Sequence, residues 1–155
     1  MSWTPLRFGK HIGKTLPQVL FVDPDWFFWA YDKGIIKGYT ITQEASKIHA
    51  KATSIRVPQT GAEPLIVEYN FFDGKSYGFD IVEKSRPQHA GSTVTIRGQQ
   101  IDMSVPMRVK GYDKLGYKLF IGSLKSAIFG KANVRMTKEK CEAFFDDDSN
   151  FVNNS

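Results

Sequence analysis

Over about the first 57 residues, apolar positions recur at helical spacing, and this pattern predicts three short helices. Thr15 can cap the first helix. Asp23 and Pro24 are typical of the start of a second helix, as N-cap and first helical residue. Gly34 is expected to end that helix, and residues 42–53 are expected to form the third.

From residue 65 the apolar positions alternate, which indicates β-strands. Asp73 and Gly74 supply the turn of a first hairpin, and Thr137 can cap a closing helix. Five strands are predicted, over residues 65–72, 77–81, 94–97, 101–109 and 117–121, with a turn at Gly98 and Gln99 between the third and the fourth. The pattern predicts an α+β fold, in which a small N-terminal hairpin and helical module precedes a twisted antiparallel β-sheet of five or so strands and a C-terminal helix.

This change of spacing divides the chain into four predicted segments. Residues 1–57 form the aromatic-rich helical module, and residues 58–64, with two prolines and a glycine, form a linker. Residues 65–145 form the antiparallel β-region with its closing helix. Residues 146–155, acidic and rich in asparagine, are expected to be a disordered tail that either solubilises the protein or competes with nucleic acid for its basic surface.

Composition indicates a globular cytoplasmic protein. Of the 155 residues, 41% are hydrophobic and 14% aromatic, which is enough to build a core. The longest apolar runs are far too short to span a bilayer, and the opening lacks the apolar stretch of a signal peptide. Cys141 is the single cysteine, so an internal disulfide and a multi-cysteine metal site are excluded.

The net charge of +5 is unevenly distributed along the chain. Residues 1–56 carry +4 and residues 106–140 carry +7, whereas the residues between them carry −2 and residues 141–155 carry −4. Two basic segments separated by an acidic one predict a polyanion-binding surface assembled from both ends of the fold. The alternative is a solvated basic face with no such partner.

The opening segment contains two glycine-lysine pairs, Gly9-Lys10 and Gly13-Lys14, after a short predicted strand at residues 6–8. A nucleotide-binding phosphate loop would need glycine at position 8, where the chain has Phe8, so hydrolysis of ATP or GTP is not expected. The bend can still bind phosphate through its lysines and glycine amides.

A dense aromatic block, Asp23-Pro24-Asp25-Trp26-Phe27-Phe28-Trp29, follows this bend. Together the two motifs resemble the small module at the C-terminal end of exodeoxyribonuclease X-like proteins, whose pattern is Phe-Gly-Lys, two residues, Gly-Lys, then Asp-Pro-Asp-Tyr-x-x-Trp. The resemblance covers about residues 6–37 and implies an accessory nucleic-acid-associated module, not a catalytic domain. Ile12 stands where this family often has a basic residue.

We therefore expect a small, non-enzymatic nucleic-acid-binding accessory protein of the kind that phages encode, with DNA favoured over RNA as its partner. It would contact the phosphate backbone without a metal or cofactor. The candidate binding residues are Arg7, Lys10 and Lys14 in the loop, and Arg108, Lys110, Lys114 and Lys118 on the predicted sheet. We also expect Trp26 and Trp29 to be mostly core, and Phe28 to lie nearer the other face of its helix.

Two other functions remain open. The aromatic and basic surfaces are also typical of a protein-interaction or inhibitor module that binds another protein. A metal-dependent nuclease is the third hypothesis. Either Asp80 and Glu83 with Lys84, or Glu68 and Asp73 with Lys75, place carboxylates and a lysine on one predicted hairpin.

Overall fold

The computed structural model describes residues 2–72, 75–108 and 114–152 and has a mixed α+β fold. Within these residues no helix is both long and apolar enough to cross a membrane. The elements are α1 (Leu16–Val22), α2 (Pro24–Asp32), α3 (Ile41–Ala52), β1 (Ile55–Arg56), β2 (Leu65–Phe72), β3 (Lys75–Glu83), β4 (Val94–Gly98), β5 (Gln100–Ile101), α4 (Lys114–Phe129) and α5 (Lys138–Asp146).

The predicted helix starts are confirmed. Thr15 is the N-cap of α1, and its backbone N–H donates to the Gln18 side chain at 2.9 Å, closing a capping box. Asp23 precedes Pro24 at the start of α2, and Thr137 accepts a hydrogen bond from the Lys140 amide at the start of α5. The short strand expected at residues 6–8 is absent, because that segment is part of a closed loop.

The predicted β-hairpin is confirmed in its two strands, and its turn at Asp73 and Gly74 lies outside the described residues. β2 is the central strand of an antiparallel sheet with the order β3-β2-β4. Helix α4 packs on one face of this sheet, where Phe120 stacks on Tyr69 at 6.1 Å and meets Phe79 at 5.0 Å between ring centroids.

The strand predicted at residues 117–121 is wrong, because this segment belongs to helix α4. Tyr117, Phe120, Ile121 and Leu124 are all buried, and their spacing of three and four residues is that of a helix face. Leu119, which the alternating pattern assigned to the inside, is 45% exposed.

The strand predicted over residues 101–109 is also wrong at residues 102–108, and residue 109 lies outside the described residues. The Asp102 carboxylate accepts hydrogen bonds from the backbone and hydroxyl of Ser104, and this turn ends β5. A 3-10 helix, Val105–Arg108, follows and contains Pro106, which cannot donate to a β-ladder.

The C-terminal segment is packed on the core, contrary to the prediction of a disordered tail. Asp146 ends α5, a 3-10 helix follows at Asp148–Asn150, and Phe151 is fully buried. Phe151 forms an isolated bridge with Ile55 and stacks on Phe145 at 5.7 Å between ring centroids. Residues 153–155 lie outside the described residues.

Residues 58–64 form the irregular connection between β1 and β2. The Gln59 side chain brackets it, donating to Val57 O and Leu65 O and accepting from Leu65 N. One hydrophobic cluster contains side chains from both sides of this connection, such as Leu20 of α1 and Phe120 of α4. Side chains from both sides of the predicted linker therefore pack in one core.

Candidate nucleic-acid interface

A closed loop of residues 6–14 carries the two glycine-lysine pairs. Leu6 N donates to Lys14 O, and Gly13 N donates to Leu6 O, each at 2.9 Å. Gly9 and Gly13 have φ angles of 76° and 89°, in the left-handed region that glycine adopts without strain. The glycines of the motif therefore fix the path of this loop.

Asp23 anchors the loop to the start of α2. Its Oδ2 atom lies 2.8 Å from Lys10 Nζ and 2.9 Å from His11 Nε2. Burial acts to raise the pKa of Asp23, but hydrogen bonds with Asp25, Lys10 and His11 outweigh it and hold the pKa well below its ordinary value of 3.8. Lys10, predicted to bind phosphate, is therefore already paired with an ionised carboxylate.

Trp26 packs against the same loop. A Cβ atom at Gly9 would lie 3.1 Å from the Trp26 ring, and the His11 ring meets that ring edge-on at 5.2 Å between centroids. The aspartate and tryptophan of the motif thus have a structural role in holding the loop.

The expectation for the other aromatic residues of α2 is wrong. Trp29 is 46% exposed, whereas Phe28 is buried together with Phe27 and Ala30. The buried face of this short helix is centred on Phe27, which places Trp29 on the opposite side.

A cleft of about 450 Å³ separates the loop and the start of α2 from helix α4. Lys118 and Lys125 of α4 line it, and the Lys125 ammonium donates to Val134 O at 3.1 Å. Asp23 and Asp25 line it as well. Because acids and lysines share this cleft, its charge is mixed and poorly suited to a polyanion.

A second groove, of about 390 Å³, has a different chemistry. It lies between the chain before the glycine bend and the connection from α2 to α3, and the described residues that line it include no acidic side chain. Its cations are Arg7 and Lys37, and its aromatic residues are Phe8 and Tyr39. The other lining residues are Thr4, Pro5, Leu6, Gly38, Thr40 and Ile41.

The two cations of this groove are exposed, and neither forms a salt bridge with another described residue. The two walls are joined by a hydrogen bond of 3.1 Å between the Thr4 and Thr40 hydroxyls. Buried Glu44 of α3 accepts from the Thr4 backbone N–H at 2.9 Å and so fixes one wall from beneath. The groove is therefore a built feature with charges directed to solvent.

The predicted site residues are not gathered in one place. Arg7 lines the second groove and Lys118 lines the mixed-charge cleft. Lys14 is half-buried, and its backbone closes the loop. Arg108 ends a 3-10 helix and Lys114 is the first residue of α4, so the three C-terminal candidates that the structure describes do not lie on a sheet as predicted. The fourth, Lys110, lies outside the described residues.

Sequence reasoning missed Lys37 and Tyr39. Both lie between two helices, in the segment Ile35-Ile36-Lys37-Gly38-Tyr39-Thr40, where no apolar period assigns them to a face. An aromatic residue beside a glycine and a lysine in such a connection was the available signal.

Of the carboxylates of the nuclease hypothesis, Glu68 is buried in the sheet and paired with an arginine, whereas Asp80 and Glu83 are exposed. Glu68 lies opposite Asp80 in the register of β2 and β3, and its Oε2 atom is 2.6 Å from Arg97 Nη2. Across residues 2–72, 75–108 and 114–152, no group of three or more histidine, cysteine, aspartate or glutamate side chains is placed to hold a metal ion.

No protein-family model matches this chain, and no similar protein was found among curated sequences or solved structures.

Proposed function

We propose that this chain is a non-enzymatic nucleic-acid-binding accessory protein that contacts the phosphate backbone through the groove of Arg7 and Lys37. The observation that supports this most is a pair of exposed cations that form no salt bridge with another described residue, in a groove whose described lining contains no acidic side chain. Phosphates bind such cations by releasing condensed counterions, which is the main source of affinity for nucleic acid.

The rest of the molecule is compatible with this role. The net charge is +5 and the isoelectric point is about 9.3, so the whole protein attracts polyanions at neutral pH. Exposed Lys118 then contributes to the general positive field, whereas the charge of Lys10 is offset by its ion pair with Asp23.

The proposal is tested with labelled single- and double-stranded DNA and RNA oligonucleotides at two salt concentrations. The double variant Arg7→Ala/Lys37→Ala should bind more weakly, and its logarithmic salt dependence should be less steep by about 0.7 to 0.9 per lost phosphate contact. Lys84→Ala/Lys131→Ala is the matched control, because it removes the same charge from exposed positions outside the groove.

Equal losses in the two double variants would show attraction by net charge alone and would overturn this assignment of the groove. A protein-interaction module is the second candidate function, favoured by exposed Ile12 (64%) and Val22 (59%). It predicts no binding to any oligonucleotide, and capture of a protein partner with little dependence on salt.

A further inference from the structure

Tyr39 stands apart from the buried tyrosines of the fold. It is 100% exposed, whereas Tyr69 and Tyr117 are 2% and 3% exposed. The hydroxyls of those two residues are engaged, because Tyr69 accepts from Asp102 N at 2.6 Å and Tyr117 donates to Met103 O at 3.0 Å. Tyr39 thus contributes nothing to the core, and its ring is available to a ligand.

The groove places this ring beside a cation and a second aromatic residue. Lys37 is two residues before Tyr39 on one wall, and Arg7 precedes Phe8 on the other. Each cation is therefore within two residues of an aromatic residue in the sequence. An aromatic face with flanking cations is the arrangement that stacks a nucleobase and neutralises the phosphates on either side of it.

The wall that carries Tyr39 is held in place before any ligand binds. Gly38 N donates to Thr42 Oγ1 at 3.0 Å, and that hydroxyl donates back to Gly38 O at 3.1 Å. With the Thr4–Thr40 hydrogen bond, these contacts fix the backbone on both sides of Tyr39. A pre-formed wall reduces the ordering cost of binding.

We infer that this groove binds one unstacked base of a single strand on Tyr39, with the neighbouring phosphates on Arg7 and Lys37. The inference rests on the proposed function and specifies its substrate. A duplex hides the faces of its bases in the stack, so the ring discriminates against it. The groove volume of about 390 Å³ lies within the range of roughly 300–1,000 Å³ that small-ligand sites occupy.

The test compares Tyr39→Leu and Tyr39→Phe with the unmodified chain, using oligothymidylate, an abasic strand of equal length and a duplex. Tyr39→Leu should bind oligothymidylate about 5- to 100-fold more weakly, which is the effect of losing one stacked base. It should bind the abasic strand and the duplex unchanged. Tyr39→Phe should bind as the unmodified chain does, because a phenyl ring also stacks.

Trp29→Leu is the matched control, since it removes an exposed ring that does not line the groove. Both rings are solvent-exposed, so neither change should prevent folding. The stacking inference would be overturned if Tyr39→Leu bound oligothymidylate as tightly as the unmodified chain does. It would also be overturned if the unmodified chain bound the abasic strand as tightly as the base-bearing strand. In that case weaker binding by Arg7→Ala/Lys37→Ala would still support the proposed function, and no binding to any strand would reject both.

Discussion

At the scale of single residues, Asp23 links the opening loop to the second helix. Its carboxylate joins Lys10 and His11 of the loop to the start of α2. The sequence predicted Asp23 only as a helix cap, because side-chain pairing across 12 residues is not visible in spacing. The same limit explains why Lys10 was predicted as a phosphate ligand.

Asp23→Asn should lower the free energy of unfolding by about 1–3 kcal/mol at pH 7, because two buried or partly buried donors lose a charged acceptor. The native pKa of Asp23 lies below its unfolded value of 3.8, so its contribution is present above that pH and is lost as the pH falls through the native pKa. The difference between the two proteins in urea unfolding should therefore shrink at acid pH. Asp32→Asn, a change at an exposed position at the end of α2, is the control. A difference in unfolding free energy between Asp23→Asn and the unmodified chain that stays constant from pH 7 to pH 2 would contradict this role of Asp23.

Phe151→Ala should lower the free energy of unfolding by about 3–5 kcal/mol, because it removes a fully buried ring from a cluster with Phe144 and Phe145. Phe72→Ala makes the same chemical change at a position that is 47% exposed, and should cost much less. Equal stability of the two variants in urea unfolding would show that residue 151 is not in the core.

At the scale of elements, helix caps were predictable and one helix was not. Caps are local, so Thr15, Pro24 and Thr137 were sufficient to locate α1, α2 and α5. In α4, alternating and helical spacings overlap at Tyr117 and Ile121, and the sequence alone does not decide between them. The packing of Phe120 on the sheet decides in favour of a helix, because it buries a residue that the predicted strand would have exposed.

Gly78 of β3 allows α4 to approach the sheet closely. A Cβ atom there would collide with Ser123 Oγ and lie 3.2 Å from Leu119 O, and its φ of 111° is itself strained for other residues. Gly78→Ala should therefore lower the free energy of unfolding by about 2–4 kcal/mol. Gly130→Ala, with φ of 83° and open space around its Cβ position, should cost only the backbone strain of about 1–2 kcal/mol. Similar losses at both sites in thermal unfolding would mean that α4 shifts to make room.

At the scale of the whole molecule, the two ends of the described chain pack together. Trp3 Nε1 donates to Asp146 Oδ1 at 3.0 Å, and Thr15 Oγ1 donates to Glu142 Oε2 at 2.8 Å. Such contacts join residues more than a hundred positions apart, so periodicity along the chain carries no information about them. This is why the sequence indicated the class of fold but not the position of the last segment.

Removal of residues 148–155 should lower the melting temperature of the protein and should not create a tighter nucleic-acid binder. Lys51 is buried and donates to Phe145 O and to Asp148, so truncation leaves its charge with one partner fewer and also removes Phe151. Thermal unfolding and oligonucleotide titration at low salt measure the two effects. An unchanged melting temperature together with tighter binding would instead support the prediction that the acidic segment competes with nucleic acid for the basic surface.

The contact between Trp3 and Asp146 also has a consequence for biosynthesis. A ribosome makes Trp3 before, and Asp146 after, all the strands that the structure describes. Helices α1 and α3 emerge early, yet the surfaces that α5 and Phe151 will cover remain open to water until those residues leave the exit tunnel. The core is therefore completed only after α5 and Phe151 have been made, and the apolar surface that the nascent chain exposes until then is the kind that chaperones bind.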